Sequence, residues 1–327
     1  MGLAFGGAPL LPCRLPPVRH FSNRPLLRPL KHTRYTRHHM TICVGALAAG
    51  GKSIVCVADK SVSYGDHVWG ETDSTKIVEL TSGSVAMVSG DEFVFDRFLR
   101  ALNRNPKLGC SIPDTVRYCE DSYRSTRKEL VSINYLDTNL LTEQHFTQAT
   151  TGTKVNRHIE RLAMEISKFK VDCSILLCGF DEHNQAYLIY VDEPGNAVDL
   201  ARLGYHAIGS GYEYSIGRLV WSERTRNKGI EESLYHILDA KISAEINPYV
   251  GGDWDAVILV PGKVHRVPDK IVALLDEVWS YYDRSPYYVR EPDDQDPPRN
   301  WKASVSKYVK GLSGPSPSPQ QGDKVFN

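Results

Sequence analysis

The sequence has 327 residues, 41% of them hydrophobic, with 39 basic and 39 acidic side chains, enough for one large domain or two small ones. That balance hides an asymmetry, because residues 1 to 39 hold Arg14, Arg19, Arg24, Arg28, Lys31, Arg34 and Arg37 and no acid. With these seven removed from the 39 bases, the rest carries 32 against 39 acids, a mildly acidic body that argues against nucleic-acid binding.

The leader, residues 1 to 40, is rich in Pro, Arg and His and lacks the periodicity of a helix. Three readings fit it: a propeptide removed before Thr41, an Arg-rich organellar transit segment, or an upstream extension with Met40 as the true start. The position of Met40 directly before Thr41 favours the third. Leu10 to Cys13 is too short for a secretory core, and no run is long and apolar enough to span a bilayer, so no membrane partner is expected. The seven cysteines show no Cys-x-x-Cys pair, and Cys43, Cys56, Cys173 and Cys178 sit in apolar runs. They read as buried free thiols in a reducing cytoplasm, with no metal site expected.

From Met40 to Asp91 the chain reads as short buried strands. Ile42 to Gly45 and Ser53 to Ala58 flank a Gly50-Gly51 turn, and the second run ends on Asp59. Lys76 opens Ile77 to Leu80, and Val85 to Val88 ends in Ser89-Gly90-Asp91. A threonine, an aspartate, a lysine and a glycine thus stand at strand ends, which can converge at one edge of a sheet.

This set suits a threonine nucleophile with a free N-terminus. A hydroxyl is a poor nucleophile until a base takes its proton, and an α-amine, with a pKa of about 7.7 to 8.0, is such a base on the same residue. A lysine, Lys76, would stabilise the alkoxide and help keep the amine unprotonated, and Asp59 would fix the lysine. The Gly90 amide could serve as an oxyanion hole, since glycine allows close approach of the main chain.

Thr41 to Gly45, Val57-Ala58-Asp59, Thr75-Lys76-Ile77 and Met87 to Gly90 together resemble the N-terminal half of a proteasome β-type subunit, an N-terminal-nucleophile (Ntn) hydrolase. The resemblance implies catalytic roles for Thr41, Asp59, Lys76 and Gly90, pairing of Ser63 with substrate backbone, and a place for Val88 in the pocket for the residue before the scissile bond. It also implies a four-layer α-β-β-α sandwich, an α+β fold of two antiparallel sheets between helices.

Beyond Asp91 the period lengthens to about 3.6. Phe95, Phe98, Leu99 and Leu102 mark one helix face. After a break from Asn103 to Pro113, Val116, Cys119, Tyr123, Thr126, Leu130 and Ile133 mark another. Asn134 to Val171 exceeds the family pattern and reads as an inserted helical hairpin or an extended second helix: a polar Thr147 to Thr153 stretch, then a helix with Val155, Ile159, Leu162, Ile166 and Phe169 on one side. Cys173 to Asp181 and Ala186 to Asp192 form a hairpin signal. Ala207-Ile208-Gly209-Ser210-Gly211 matches the family's Gly-Ser-Gly block, implying that Ser210 bonds the Thr41 amine. A bare strand-to-helix turn capped by Ser210 is the alternative.

Helices are expected at Tyr214 to Arg226, at Ile230 to Ile246 with Leu234, Ile237, Leu238 and Ile242 inward, and at Lys270 to Tyr282 with Ile271, Leu274, Leu275 and Val278 inward. A strand lies between the last two, at Asp255 to Val260. Asn247 and Val250 stand where active family members carry an aspartate and a serine, and Asp253 or Asp255 is a candidate to compensate. Residues 284–327 are dense in Pro, Asp, Ser and Gln and read as a disordered tail.

The expected organisation is therefore a leader over 1–40, a proteasome-like domain over 41–283 with an insertion near 134–170, and a tail over 284–327. The expected function is a threonine-type peptidase acting on peptide or protein substrates in a self-compartmentalising homo-oligomer. No cofactor is expected, and any ATP-driven unfoldase would be a separate partner. The rivals are a non-catalytic scaffold subunit of the same family and a small-molecule Ntn amidohydrolase.

Overall fold

The computed structural model describes residues 41–64, 68–71, 75–105, 108–151, 156–222, 226–247, 250–282 and 300–312. In chain order come β1 (Ile42–Ala48), β2 (Ser53–Asp59), β3 (Ser61–Tyr64), β4 (Val68–Glu71), β5 (Ile77–Thr81) and β6 (Ser84–Gly90). Then follow α1 (Glu92–Leu102), α2 (Ile112–Val131), α3 (Glu143–Thr151) and α4 (Arg157–Lys168). The second half contributes β7 (Cys173–Phe180), β8 (Ala186–Asp192), β9 (Asn196–Asp199), β10 (Tyr205–Gly209), α5 (Tyr212–Trp221) and α6 (Ile230–Ser243). It ends with β11 (Trp254–Val260), β12 (Lys263–Arg266), α7 (Asp269–Tyr282) and α8 (Trp301–Leu312).

Two five-stranded antiparallel sheets, ordered β10-β1-β2-β11-β12 and β5-β6-β7-β8-β9, stack face to face. Their inner faces meet through Cys43, Leu47, Ile54, Cys56, Val85, Met87, Leu176 and Cys178. The outer face of the first sheet buries Val44, Ala46, Val55 and Val57 against α6, α7 and α8, and that of the second buries Ala86, Val88, Ile175 and Leu177 against α1 and α2. Central strands are thus covered on both faces, which is why they read as unbroken apolar runs rather than as alternations. The fold is the four-layer α+β sandwich.

Local signals explain several boundaries. Asp91 caps α1, its carboxylate accepting from Phe93 N–H at 2.8 Å. Ser111 caps α2 by accepting from Asp114 N–H, so Pro113 opens that helix rather than preceding it, as its preset φ allows. After Val131 the helix widens into a π turn, Ser132–Leu136, which turns Ile133 outward into solvent instead of continuing the buried face.

The insertion forms two short helices, α3 and α4, packed on one another. The described part of the polar stretch, Thr147 to Thr151, is helical, and the Thr147, Thr150 and Thr151 hydroxyls turn back onto carbonyls four residues earlier. Ile159 and Leu162 are buried as expected, and Phe169, past the helix end, stacks edge-on against Tyr135. Val155 lies outside the described residues. The helix expected at Tyr214 to Arg226 runs instead from Tyr212 to Trp221. The hairpin of β3 and β4 was not anticipated.

The tail needs a correction. Residues 301–312 form α8, whose Trp301 and Val305 are buried against α6 and α7. The apolar positions Trp301, Val305, Tyr308, Val309 and Leu312 follow helical spacing that the surrounding Pro and Ser composition obscures. Tyr308 OH donates to Arg266 O at 2.9 Å, tying α8 to β12. Removing the Trp301 ring, which lies against Tyr235, is expected to cost about 3 kcal/mol. A urea melt of Trp301→Ala checks this, and an unchanged midpoint would mean that α8 is not docked.

Candidate active site

Antiparallel pairing sets the geometry. Cys43 opposes Ala58, so Thr41, just before β1, and Asp59, at the end of β2, lie at the same end of the pair. Lys76 immediately precedes β5, where its backbone is held on both sides. Thr75 Oγ1 accepts from Ile77 N–H at 3.1 Å, and the Arg266 guanidinium of β12 donates to Ile77 O at 3.4 Å.

Lys76 Nζ donates to Thr41 Oγ1 at 2.7 Å and to Asp59 Oδ1 at 2.8 Å. The three residues are 6%, 6% and 1% exposed for Thr41, Lys76 and Asp59. Asp59 Oδ1 also accepts from Ile42 N–H at 3.0 Å, and its Oδ2 from Gly251 N–H at 3.3 Å. A carboxylate that neutralises a buried ammonium and accepts two backbone amides is fixed in place, and it fixes the lysine in turn. An ammonium offers donors only. As an ammonium, Lys76 would stabilise a Thr41 alkoxide and leave the hydroxyl proton to another group.

Cys43 is the competing nucleophile, two residues from Thr41. Burial pushes its thiol far above the usual range, and its S–H donates to Val88 O at 3.3 Å. Since the thiolate is the reactive form, Cys43 is inert. Cys56 and Cys173 are raised likewise by burial, and Cys119 is raised to about 12 by burial and then by Glu120.

Gly90 ends β6 at φ +121°, where a Cβ would lie 2.3 Å from Asp172 O. The local backbone therefore requires glycine there before any substrate is considered. Gly209 ends β10 at φ +112°, with a Cβ position 1.8 Å from Thr41 O. Only glycine lets β10 close against the start of β1.

Ser210 follows directly, beside Thr41. It does not cap α5, whose cap is Gly211 with no side-chain bond. Its Oγ is buried without a hydrogen-bond partner, while its carbonyl accepts from Asn247 Nδ2 at 3.0 Å. Asn247 therefore sits at the site through Ser210. Val250 does not: it packs in the core under α5 and α6, against Gly211. Asp253 offers its carbonyl to Lys60 N–H, and Asp255 pairs with Lys60 Nζ at 3.2 Å, which directs Asp255 away from Thr41.

Val88 is 4% exposed. Its side chain is buried with Val94 and Phe95, because alternation on β6 turns Ala86 and Val88 toward α1 and α2. Ser63 lies in β3 opposite Trp69, and its side chain is outside the described part of the structure.

Between the Gly90 and Ser210 ends opens a cavity of about 500 Å³, lined also by Asp172, Tyr190, Asp192 and His206. Tyr190 OH donates to Asp192 Oδ2 at 2.6 Å, and burial holds His206 below its ordinary pKa, hence neutral near pH 7. Sequence reasoning missed this wall and the Gly251 amide on Asp59. A backbone donor leaves no side-chain signature, and the wall is assembled from β6, β7, β8 and β10, which are distant in sequence. Among the described residues no cluster of His, Cys, Asp and Glu could hold a metal ion, and no helix is long and apolar enough to cross a membrane.

No family model and no curated protein matches the chain. Among solved structures it is similar to eukaryotic HslV from Trypanosoma brucei, at 15% identity and a TM-score of 0.44, over 67% of this chain and 99% of that one.

Iodoacetamide at about pH 8 is expected to leave Cys43, Cys56, Cys119, Cys173 and Cys178 unmodified in the folded protein and to label them after denaturation. Peptide mass mapping checks this. Native labelling of Cys43 would make that thiol an available nucleophile beside Thr41.

Proposed function

We propose that this chain is an N-terminal threonine hydrolase of amide bonds, a proteasome β-type Ntn peptidase acting on peptide or protein substrates. The observation that carries the reading is the buried relay in which Lys76 Nζ bridges Thr41 Oγ1 at 2.7 Å and Asp59 Oδ1 at 2.8 Å. A lysine spent only on stability would not need a hydroxyl at the residue just before β1.

In this mechanism the leader is removed before Thr41, and the freed α-amine accepts the hydroxyl proton. The Thr41 oxygen attacks the substrate carbonyl carbon, and the tetrahedral oxyanion is stabilised by the Gly90 amide while the Lys76 charge steadies the threonine oxygen. The protonated amine gives its proton to the leaving amine as the C–N bond breaks, leaving a threonine ester. Water, deprotonated by the same amine, then attacks the ester, and the threonine oxygen recovers the proton. The orphaned Ser210 Oγ suits a partner for that amine, because a buried hydroxyl without a bond is otherwise costly. The chemistry requires no cofactor.

Working assembly would be a homo-oligomer that encloses its sites, with any ATP-driven unfolding supplied by a separate partner. Tyr212, Val220 and Trp221 leave apolar area of α5 exposed, which a second copy would cover. The six described cysteines are unpaired, which suits a reducing compartment such as the cytoplasm.

A second reading, a scaffold subunit without turnover, draws on Val250: a valine cannot donate or accept where the resembled family carries a serine. Turnover of fluorogenic peptides by the wild type, Thr41→Ala and Lys76→Met separates the two. The peptidase reading expects no turnover for Thr41→Ala and a loss of at least about a hundredfold for Lys76→Met. Equal activity in all three would remove it, and wild-type silence toward peptides with Thr41-dependent cleavage of a small amide would favour the small-molecule amidohydrolase.

A further inference from the structure

Helix α6 turns Leu234, Ile237 and Leu238 into the core under the first sheet, and Lys241 falls on the same face, 0% exposed. Helical periodicity calls for an apolar side chain there, and burying an ammonium instead carries a substantial desolvation cost. The cost is offset by full use of its donors. Lys241 Nζ donates to Glu245 Oε1 at 2.6 Å, to Gly251 O at 2.7 Å and to Gly252 O. Three donors and three acceptors leave nothing to spare.

The two carbonyls belong to the segment that leads into β11, and that segment reaches the candidate site twice. Gly251 N–H donates to Asp59 Oδ2 at 3.3 Å, and Asn247 Nδ2 donates to Ser210 O at 3.0 Å. Gly251 and Gly252 have no side chains with which to grip the core. The ammonium does it for them, through their carbonyls.

We propose that Lys241 is a positioning residue for the threonine chemistry: it pins Gly251 against Asp59, so that Asp59 holds Lys76 at Thr41. The kinetic consequence rests on the function proposed above, whereas the structural consequence does not. Lys241 touches neither Thr41 nor the cavity, and it would act only through the Gly251 amide.

Two variants of the full chain test this, Lys241→Met, which keeps length and removes the donors, and Glu245→Gln, which keeps both carbonyl bonds. For Lys241→Met, amide exchange at Gly251 is expected to rise at least about tenfold while β2 amides keep their protection. Its kcat is expected to fall about ten- to a hundredfold, with KM within about twofold, as for a misplaced catalytic group. Glu245→Gln is expected to stay within about twofold of wild type in kcat. Unchanged exchange at Gly251, unchanged kcat in a folded Lys241→Met, or a tenfold loss in Glu245→Gln would each overturn the proposal. So would a Met variant that does not fold, since Lys241 would then serve stability. If the wild type shows no Thr41-dependent turnover, the functional reading fails, and the exchange measurement alone still decides whether Lys241 holds Gly251.

Discussion

A lysine ammonium buried between a threonine hydroxyl and an aspartate constrains this structure more than any other interaction in it. Removing Lys76 and Asp59 from water costs several kcal/mol per charge, and only close pairing with satisfied hydrogen bonds offsets it. Asp59 meets that demand by accepting from Lys76, Ile42 N–H and Gly251 N–H at once. Four chain segments, the starts of β1 and β5, the end of β2 and the approach to β11, are thereby locked to one point. The antiparallel register of β1 with β2 and of β2 with β11 brings them there, because Cys43 opposes Ala58 and Trp254 opposes Asp59.

Much of this was legible in the sequence because polar residues closing apolar runs are rare enough to notice. Thr41 and Asp59 bound runs that packing makes fully buried, Lys76 opens a run of which only Ile77 is buried, and the three side chains meet at one end of the sheets. The sandwich itself was implied by the resemblance, and the unbroken apolar runs and one-sided helices agree with the two sheets between helical layers that the chain forms. What composition hid was local. Proline and serine around residues 301–312 masked the five apolar positions that dock α8, and the threonines of α3 read only as a polar stretch although their hydroxyls bond within the helix. The support that Gly251 gives Asp59 was invisible because the donor is main chain.

Two departures from the resembled family acquire different meanings in three dimensions. Asn247 remains attached to the site, since its amide reaches the Ser210 carbonyl. Val250 has become core, packed with Trp254 and Ala244. A polar position has thus been exchanged for apolar contact while a backbone amide one residue on serves Asp59. Ser210 Oγ is left without a partner, and in a protein interior such a group normally has one. A free amine on Thr41 would supply it, so the orphaned hydroxyl and the unassigned base are one question.

That question is answered most directly by N-terminal sequencing of the species that turns over amides, isolated by activity. The account predicts a chain whose first residue is Thr41, with its amine unblocked. Amide turnover by a chain that still carries residues upstream of Thr41, or whose threonine nitrogen is blocked, would contradict it.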